Sequence, residues 1–336
     1  MKLSSVSAYL DGILLREGDF YKLAFATEQN QTGFLTFLER EKFLPTLCEN
    51  TGVSCVLCTP ELSDKIPERL GVFVCSRPKA ALFQLHNGLA QDVQYTGAHF
   101  STRCGSDCTI SPLAVIPKWD VVIGDRVTIE PFVVLKGRVT IGNDVTIRSG
   151  SVIGCKGFSF SKDEQGQNIS VVDTAEIVLH SHVEIFEKVC ISTGIFPWEQ
   201  TVIGENTKVD AQCHIGHGAY IGANCLLAEG SRCCGNSQIG DHTWIGVGAV
   251  VSNRVRVGIN SRVSIGAVAT KDVPAGQTVT GNFAIEHARF MQNLKASADC
   301  PPVKNNCPPP GGRARIICAA SHSCTPRTSP ERRCAA

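Results

Sequence analysis

One histidine in this 336-residue sequence stands where an imidazole could do chemistry. In His214-Ile215-Gly216-His217-Gly218, His217 follows the apolar Ile215 by two places and has glycine on either side. That pattern reads as a turn position with an accessible ring near its working pKa, which suits a general base at neutral pH. His214, three residues earlier, is taken as a substrate contact. His180, His182 and His242 also fall near turns and read as solvated corner histidines.

The element that must position His217 is a ladder of apolar residues. Ile203, Val209, Ile215, Ile221, Leu227, Cys233, Ile239, Ile245, Val251, Val257 and Val263 recur at every sixth place. A helix repeats every 3.6 residues and a strand every two, so a period of six fits neither. It fits a parallel β-helix, in which each hexad is one short strand plus a corner and equivalent positions stack coil on coil. The aliphatic residue fills the prism. The glycine that often follows it (Gly204, Gly216, Gly222, Gly240, Gly246, Gly258) is expected to turn the corner. An earlier block, Ile123, Ile129, Leu135, Ile141, Ile147 and Ile153, keeps the same step, with Val121, Val127, Val133, Val139, Val145 and Ser151 two places ahead of each.

Two segments interrupt the ladder. Cys155 to Asn168 is a polar, glycine-containing excursion, and loops leaving a rigid scaffold are natural carriers of binding residues. A second break falls at Phe196-Pro197-Trp198. The repeats close near Lys271 to Gly276, and Ala284 to Ala296 reads as a helix with Ile285, Ala288, Phe290 and Leu294 on its packed side. Residues 1–100 lack the register and read as a small α/β domain, with strands at Ser54–Thr59 and Gly71–Ser76 and helices at Glu39–Asn50 and Pro78–Leu89. The expected divisions are therefore 1–100, the β-helix at 101–280, a helix at 281–297 and a disordered tail at 298–336, the last for want of periodic apolar residues.

Composition narrows the function. A formal net charge of +1 without a basic, aromatic-interleaved block argues against nucleic acid. No apolar run is long enough to span a bilayer, and Met1 to Leu15 lacks a secretory pattern, so a cytoplasmic protein is expected. Of the 17 cysteines, Cys190, Cys213, Cys225, Cys233 and Cys234 occupy hexad positions as small hydrophobes. Cys55 and Cys58 form a CxxC, and Cys104 and Cys108 lie four apart, but neither has a matched ligand pair, so no metal site and reduced thiols are expected.

Three stretches carry a family resemblance: Thr207 to His217, the loop Gly157-Phe158-Ser159-Phe160, and Thr270 to Gly276. Together with Gly33 to Leu38 and Gly71 to Val74, they resemble the bacterial UDP-3-O-acylglucosamine N-acyltransferases of lipid A synthesis across about residues 1–296. The resemblance implies a mainly β protein, with a left-handed parallel β-helix of hexapeptide repeats behind an N-terminal α/β uridine-binding domain and ahead of a C-terminal helix. It implies a homotrimer with sites between subunits. It also implies transfer of a 3-hydroxyacyl chain from acyl carrier protein to the amine of a UDP-linked acylated glucosamine, with no further cofactor.

The family's catalytic histidine falls on His217 and its uracil-stacking aromatic on Phe37, while Phe158 and Phe160 lie in its substrate loop. Three positions depart from the pattern. Arg40 and Phe43 stand where the family has asparagine and tyrosine, and Arg254 stands where it has a second histidine. Arg40 could bind phosphate; Arg254 could stabilise negative charge on the thioester oxygen or bind the carrier's phosphopantetheine. These departures leave two other readings open, an acetyl-CoA-dependent hexapeptide N-acetyltransferase acting on another nucleotide-linked amino sugar, and a catalytically silent β-helix scaffold.

Overall fold

The computed structural model describes residues 1–281 and 286–298. The hexads wind into a left-handed parallel β-helix whose three walls are parallel sheets of seven, eight and nine short strands. On one wall Ile215, Cys233, Val251 and Ala269 stack in direct register, so one coil takes three hexads, or 18 residues. The coils run from Arg103–Cys104 to Thr278–Val279, the last strand lying beyond the expected closing stretch. Every ladder residue from Ile203 to Val263 is at most 2% exposed, as are Val121, Val127, Val133, Val139, Val145 and Ser151. Ser151 is accommodated there because its hydroxyl donates to Phe186 O (2.7 Å) and accepts from Val189 N–H (3.1 Å).

The corners are not turned where the glycines suggested. The left-handed conformation falls on the third residue after each ladder residue: Asn206, Gln212, Gly218, Asn224, Gly230, Asn236, His242, Gly248, Arg254 and Asn260 all have φ between 55° and 65°. Asparagine and glycine dominate because they enter this region with least strain. The glycine directly after the ladder residue serves another purpose, which is close approach. A Cβ on Gly246 would lie 2.6 Å from Ile265 N, and one on Gly216 would lie 2.5 Å from Gly235 N. The backbone of the neighbouring coil occupies the space a side chain would need.

The N-terminal domain holds a five-stranded sheet of β1 (Ile13–Arg16), β2 (Lys22–Leu23), β3 (Phe34–Leu38), β4 (Val53–Cys58) and β5 (Gly71–Val74) in the order β1-β5-β4-β3-β2, parallel except for β1. The helix expected at Glu39–Asn50 is shorter. A 3-10 turn at Glu41–Phe43 precedes α1 (Leu44–Glu49), because Pro45, with no N–H to donate, belongs in a first turn. α2 (Pro78–Leu89) packs as expected.

The ladder's two interruptions are what join this domain to the β-helix. Val171, Ile195 and Phe196 are buried in one core with Phe20, Leu35, Leu57, Phe73 and Leu82. The first excursion forms an antiparallel hairpin, Phe160–Lys162 with Asn168–Ser170. α2 holds it through Asn87 Nδ2 to Ser170 O (2.9 Å) and Asn87 Oδ1 from Val172 N–H (2.9 Å). Separately, His287–Ala298 is helical, and Glu286 accepts the N–H groups of Ala288 and Arg289 (both 2.9 Å) at its start. Ala288, expected on a packed side, is exposed in that first turn. The expectations for Ile285, Phe290, Leu294 and residues 299–336 lie outside what is described.

The two glycine roles differ in energy. Gly246→Ala forces a coil to shift and should cost about 1–3 kcal/mol. Gly248→Ala meets nothing within 4 Å but keeps a φ of +63°, and should cost about 1 kcal/mol. Thermal unfolding midpoints should therefore fall further for Gly246→Ala; the reverse order contradicts the close-approach account.

Candidate active site

His217 occupies the residue before a left-handed corner, and its backbone is held on both sides. Gly218 N–H donates to Thr201 Oγ1 (2.9 Å), and His217 O accepts from Asn236 N–H of the next coil (2.8 Å). The ring lies over Gly235, so closely that a Cβ there would come within 2.5 Å of Nε2. Glycine at 235 therefore leaves room for the imidazole. Arg254 follows one coil further along, its N–H donating to Gly235 O (3.1 Å).

The ring is half-buried, not the open corner side chain the sequence suggested. Burial first, then the positive charge of Arg254, then His214, hold its pKa below the ordinary imidazole value. A neutral imidazole at pH 7 follows, and with it an available lone pair. His214 points off the wall between Cys190 and Arg232; burial and then Arg232 lower its pKa as well.

Arg254 reaches across to the N-terminal domain, where its guanidinium sits 5.4 Å from the centroid of the Phe25 ring. Two adjoining hollows share Phe25, Thr27 and Arg254. The larger, about 320 Å³, is lined also by Phe37, Arg40, Phe43 and Lys79. The smaller, about 170 Å³, is lined by Glu28, Glu199, Asn236, Gln238 and Arg256. Phe37 on β3 is half-buried with its ring edge-on to Phe25 (6.3 Å), while Phe43 is 48% exposed beneath Lys42 (4.9 Å). The structure thus gathers Phe37, Arg40, Phe43 and Arg254 in one crevice and places His217 two coils back from Arg254.

Phe158 and Phe160 line neither hollow. They pack edge-on at 5.0 Å, and Phe158 is 95% exposed. Their loop nevertheless starts beside the histidine: a Cβ on Gly157 would lie 3.7 Å from His217 Cβ, and Gly157 N–H donates to Asp173 Oδ2 (2.8 Å). Burial pushes the Asp173 carboxyl up to about 6, and its Oδ1 has no hydrogen-bond partner.

Sequence reasoning missed Phe25, Glu28, Lys79, Asp173, Glu199 and Gly235. Glu199 had one legible signal, its place directly after the second break in the ladder. Among the cysteines, Cys213, Cys225 and Cys233 are buried as expected, whereas Cys190 and Cys234 are half-buried and Cys104 is exposed. Burial pushes Cys55 and Cys58 each up to about 11, which keeps them as unreactive thiols.

Comparison with known proteins agrees with this architecture. The family model described as bacterial transferase hexapeptide (six repeats) matches residues 120–155 and 200–235. The UDP-3-O-acylglucosamine N-acyltransferase of Caulobacter sp. (strain K31) is 31% identical over 156 residues, 46% of this chain and 45% of that protein. The protein of the same name from Coxiella burnetii (strain Dugway 5J108-111) is 28% identical over 227 residues, 60% of this chain and 65% of that protein. A solved UDP-N-acetylglucosamine acyltransferase from Bacteroides fragilis 9343 is 22% identical, covers 58% of this chain and 74% of its own, and superposes with a TM-score of 0.49. The chain is a hexapeptide-repeat β-helix protein. Its similarity to the UDP-3-O-acylglucosamine N-acyltransferases, expected from its motifs, stands in these matches, which span between about half and two thirds of those relatives' length. Among the described residues no helix is long and apolar enough to cross a membrane.

If Arg254 depresses His217 through space, removing its charge must release the ring. In Arg254→Gln the His217 titration followed by NMR should move up toward the ordinary imidazole value, because loss of a nearby like charge favours the imidazolium. An unmoved titration would contradict the placement of Arg254.

Proposed function

We propose that this protein is an N-acyltransferase that moves a 3-hydroxyacyl chain from acyl carrier protein to the amine of a UDP-linked acylated glucosamine, with His217 as the general base. The observation that carries the reading is the crevice: an aromatic and cationic hollow around Phe37, Arg40 and Lys79 runs through Arg254 into a smaller one whose Asn236 donates its N–H to the backbone of a histidine kept neutral. The names of the matched relatives supply the substrate class.

The geometry suits the reaction. Phe37 offers a ring for a base to stack on, and Arg40, Lys79 and Arg254 offer positive charge for a diphosphate. The acceptor nitrogen attacks the thioester carbonyl carbon, a C–N bond forms and the C–S bond breaks. His217 takes the proton released from nitrogen and returns it to the departing sulfur. A backbone N–H from the glycine-rich corners would face the developing oxyanion. Arg254, in place of a second histidine, fits the diphosphate end of the acceptor better than the carrier arm, because it opens into the hollow that Phe37 lines. The same reading includes a cytoplasmic homotrimer whose crevices are completed by neighbouring subunits.

His217→Ala should lower turnover of the 3-hydroxyacyl carrier thioester with UDP-3-O-acylglucosamine by about 100-fold or more. Its unfolding midpoint and oligomeric state should be unchanged. Near-normal turnover in that variant would sink the assignment, and equal or better turnover of wild type with acetyl-CoA would replace the donor.

A further inference from the structure

Acylating an amine releases two protons when the amine arrives charged, and His217 accounts for one. This inference rests on the acyltransferase reading above. An amine of this kind titrates near about 8, so at neutral pH most of it is ammonium, which has no lone pair to attack with. A second group must take the first proton before His217 takes the other.

Glu199 is placed for that task. The strand Gln200–Ile203 runs beside Tyr220–Ile221, with Val202 opposite Tyr220, and Gly218 N–H reaches Thr201 Oγ1 at 2.9 Å. Thr201, two residues after Glu199, therefore touches the residue that follows His217 on the adjacent coil. The Glu199 carboxyl lines the smaller hollow together with Asn236 and Arg254. Oε2 is fixed by the N–H groups of Ile195 (2.9 Å) and Phe196 (3.2 Å), both delivered by the break in the ladder. Among the described residues Glu199 forms no ion pair. The titratable groups around it are Glu28 from the N-terminal domain, Tyr95 after α2, Asp173 from the first excursion, and Arg254 and Arg256 from the coils beyond His217. Burial, with Glu28 and Asp173 adding to it, pushes the carboxyl up to about 7, close enough to the amine for proton exchange to be easy in either direction.

We propose that Glu199 is a second catalytic residue, the acceptor of the first proton from the substrate's ammonium group. The ammonium gives one proton to the Glu199 carboxylate and becomes a free amine. Its lone pair attacks the thioester carbon, the C–S electron pair leaves with sulfur, and His217 carries the second proton from nitrogen to the thiolate. The Glu199 proton is lost to water before the next turnover, so each cycle yields amide, thiol and one proton.

The test is kcat/KM against pH for wild type, Glu199→Gln and Glu199→Asp, with UDP-3-O-acylglucosamine and the 3-hydroxyacyl carrier thioester. Glu199→Gln should fall about tenfold below wild type near about pH 6.5, where only a few per cent of the acceptor is free amine, and come within about threefold of it near about pH 9, where the acceptor arrives as free amine. Glu199→Asp, which keeps a carboxyl, should regain most of that loss at the lower pH. A loss uniform across pH, no loss, or an aspartate variant as impaired as the glutamine one overturns the proposal. Wild type inactive on this pair overturns the acyltransferase reading itself, an outcome distinct from a wild type that works with Glu199 indifferent.

Discussion

The backbone of one coil lies directly against the backbone of the next, and the rest of the molecule depends on that contact. Ile215 stacks on Ile191 and Cys233, with glycines such as Gly216 and Gly246 admitting the neighbouring chain where a methyl group would collide with it. A parallel stack this tight leaves little freedom to the residues at its corners. That is why a histidine and an arginine from different coils keep a fixed relation. His217 lies over Gly235, and Gly235 O receives Arg254 N–H, so the two candidate side chains are set by the pitch of the stack. Arg254 also accepts a left-handed backbone at φ 62°, a conformation costing a non-glycine residue about 1–2 kcal/mol, in a corner where Gly218 and Asn236 precede it on the neighbouring coils.

A scaffold this regular supplies no site by itself, and chemistry enters where the register breaks. The first excursion carries the Phe158 loop, runs on to Asp173 and is tied to α2 by Asn87; the second buries Phe196 against Phe25 at 5.6 Å and leaves Glu199 lining the smaller hollow. Both breaks contribute to the shared core that seats the N-terminal domain on the coils. The crevice is therefore a product of two non-repeating pieces, the N-terminal domain and the second break, brought against one repeating wall.

That division explains what could be read in the sequence. Periodicity is local, so the ladder from Ile203 to Val263 and its buried partners were legible residue by residue. His217 stands out as a candidate because it departs from a rule that its neighbours obey; Phe37, Arg40, Phe43 and Arg254 are candidates through resemblance, and their meeting in one hollow is visible only in the fold. The corner residue was misplaced because glycine has two uses, left-handed φ and close approach, and the motif shows only that glycine is present. Phe25 and Lys79 could not be found, since they lie in aperiodic segments and gain meaning only when the two parts of the chain face each other. The depressed pKa of His217 was hidden for the same reason: half its surroundings come from other coils.

The central claim is that the crevice joins an acyl thioester to the amine of a nucleotide-linked sugar. The most direct measurement is the mass of the nucleotide product after incubation with UDP-3-O-acylglucosamine and the 3-hydroxyacyl carrier thioester. The account predicts a gain of one 3-hydroxyacyl group in a linkage that survives mild alkali, as an amide does. An unchanged sugar nucleotide, or an added group that mild alkali removes, would contradict it.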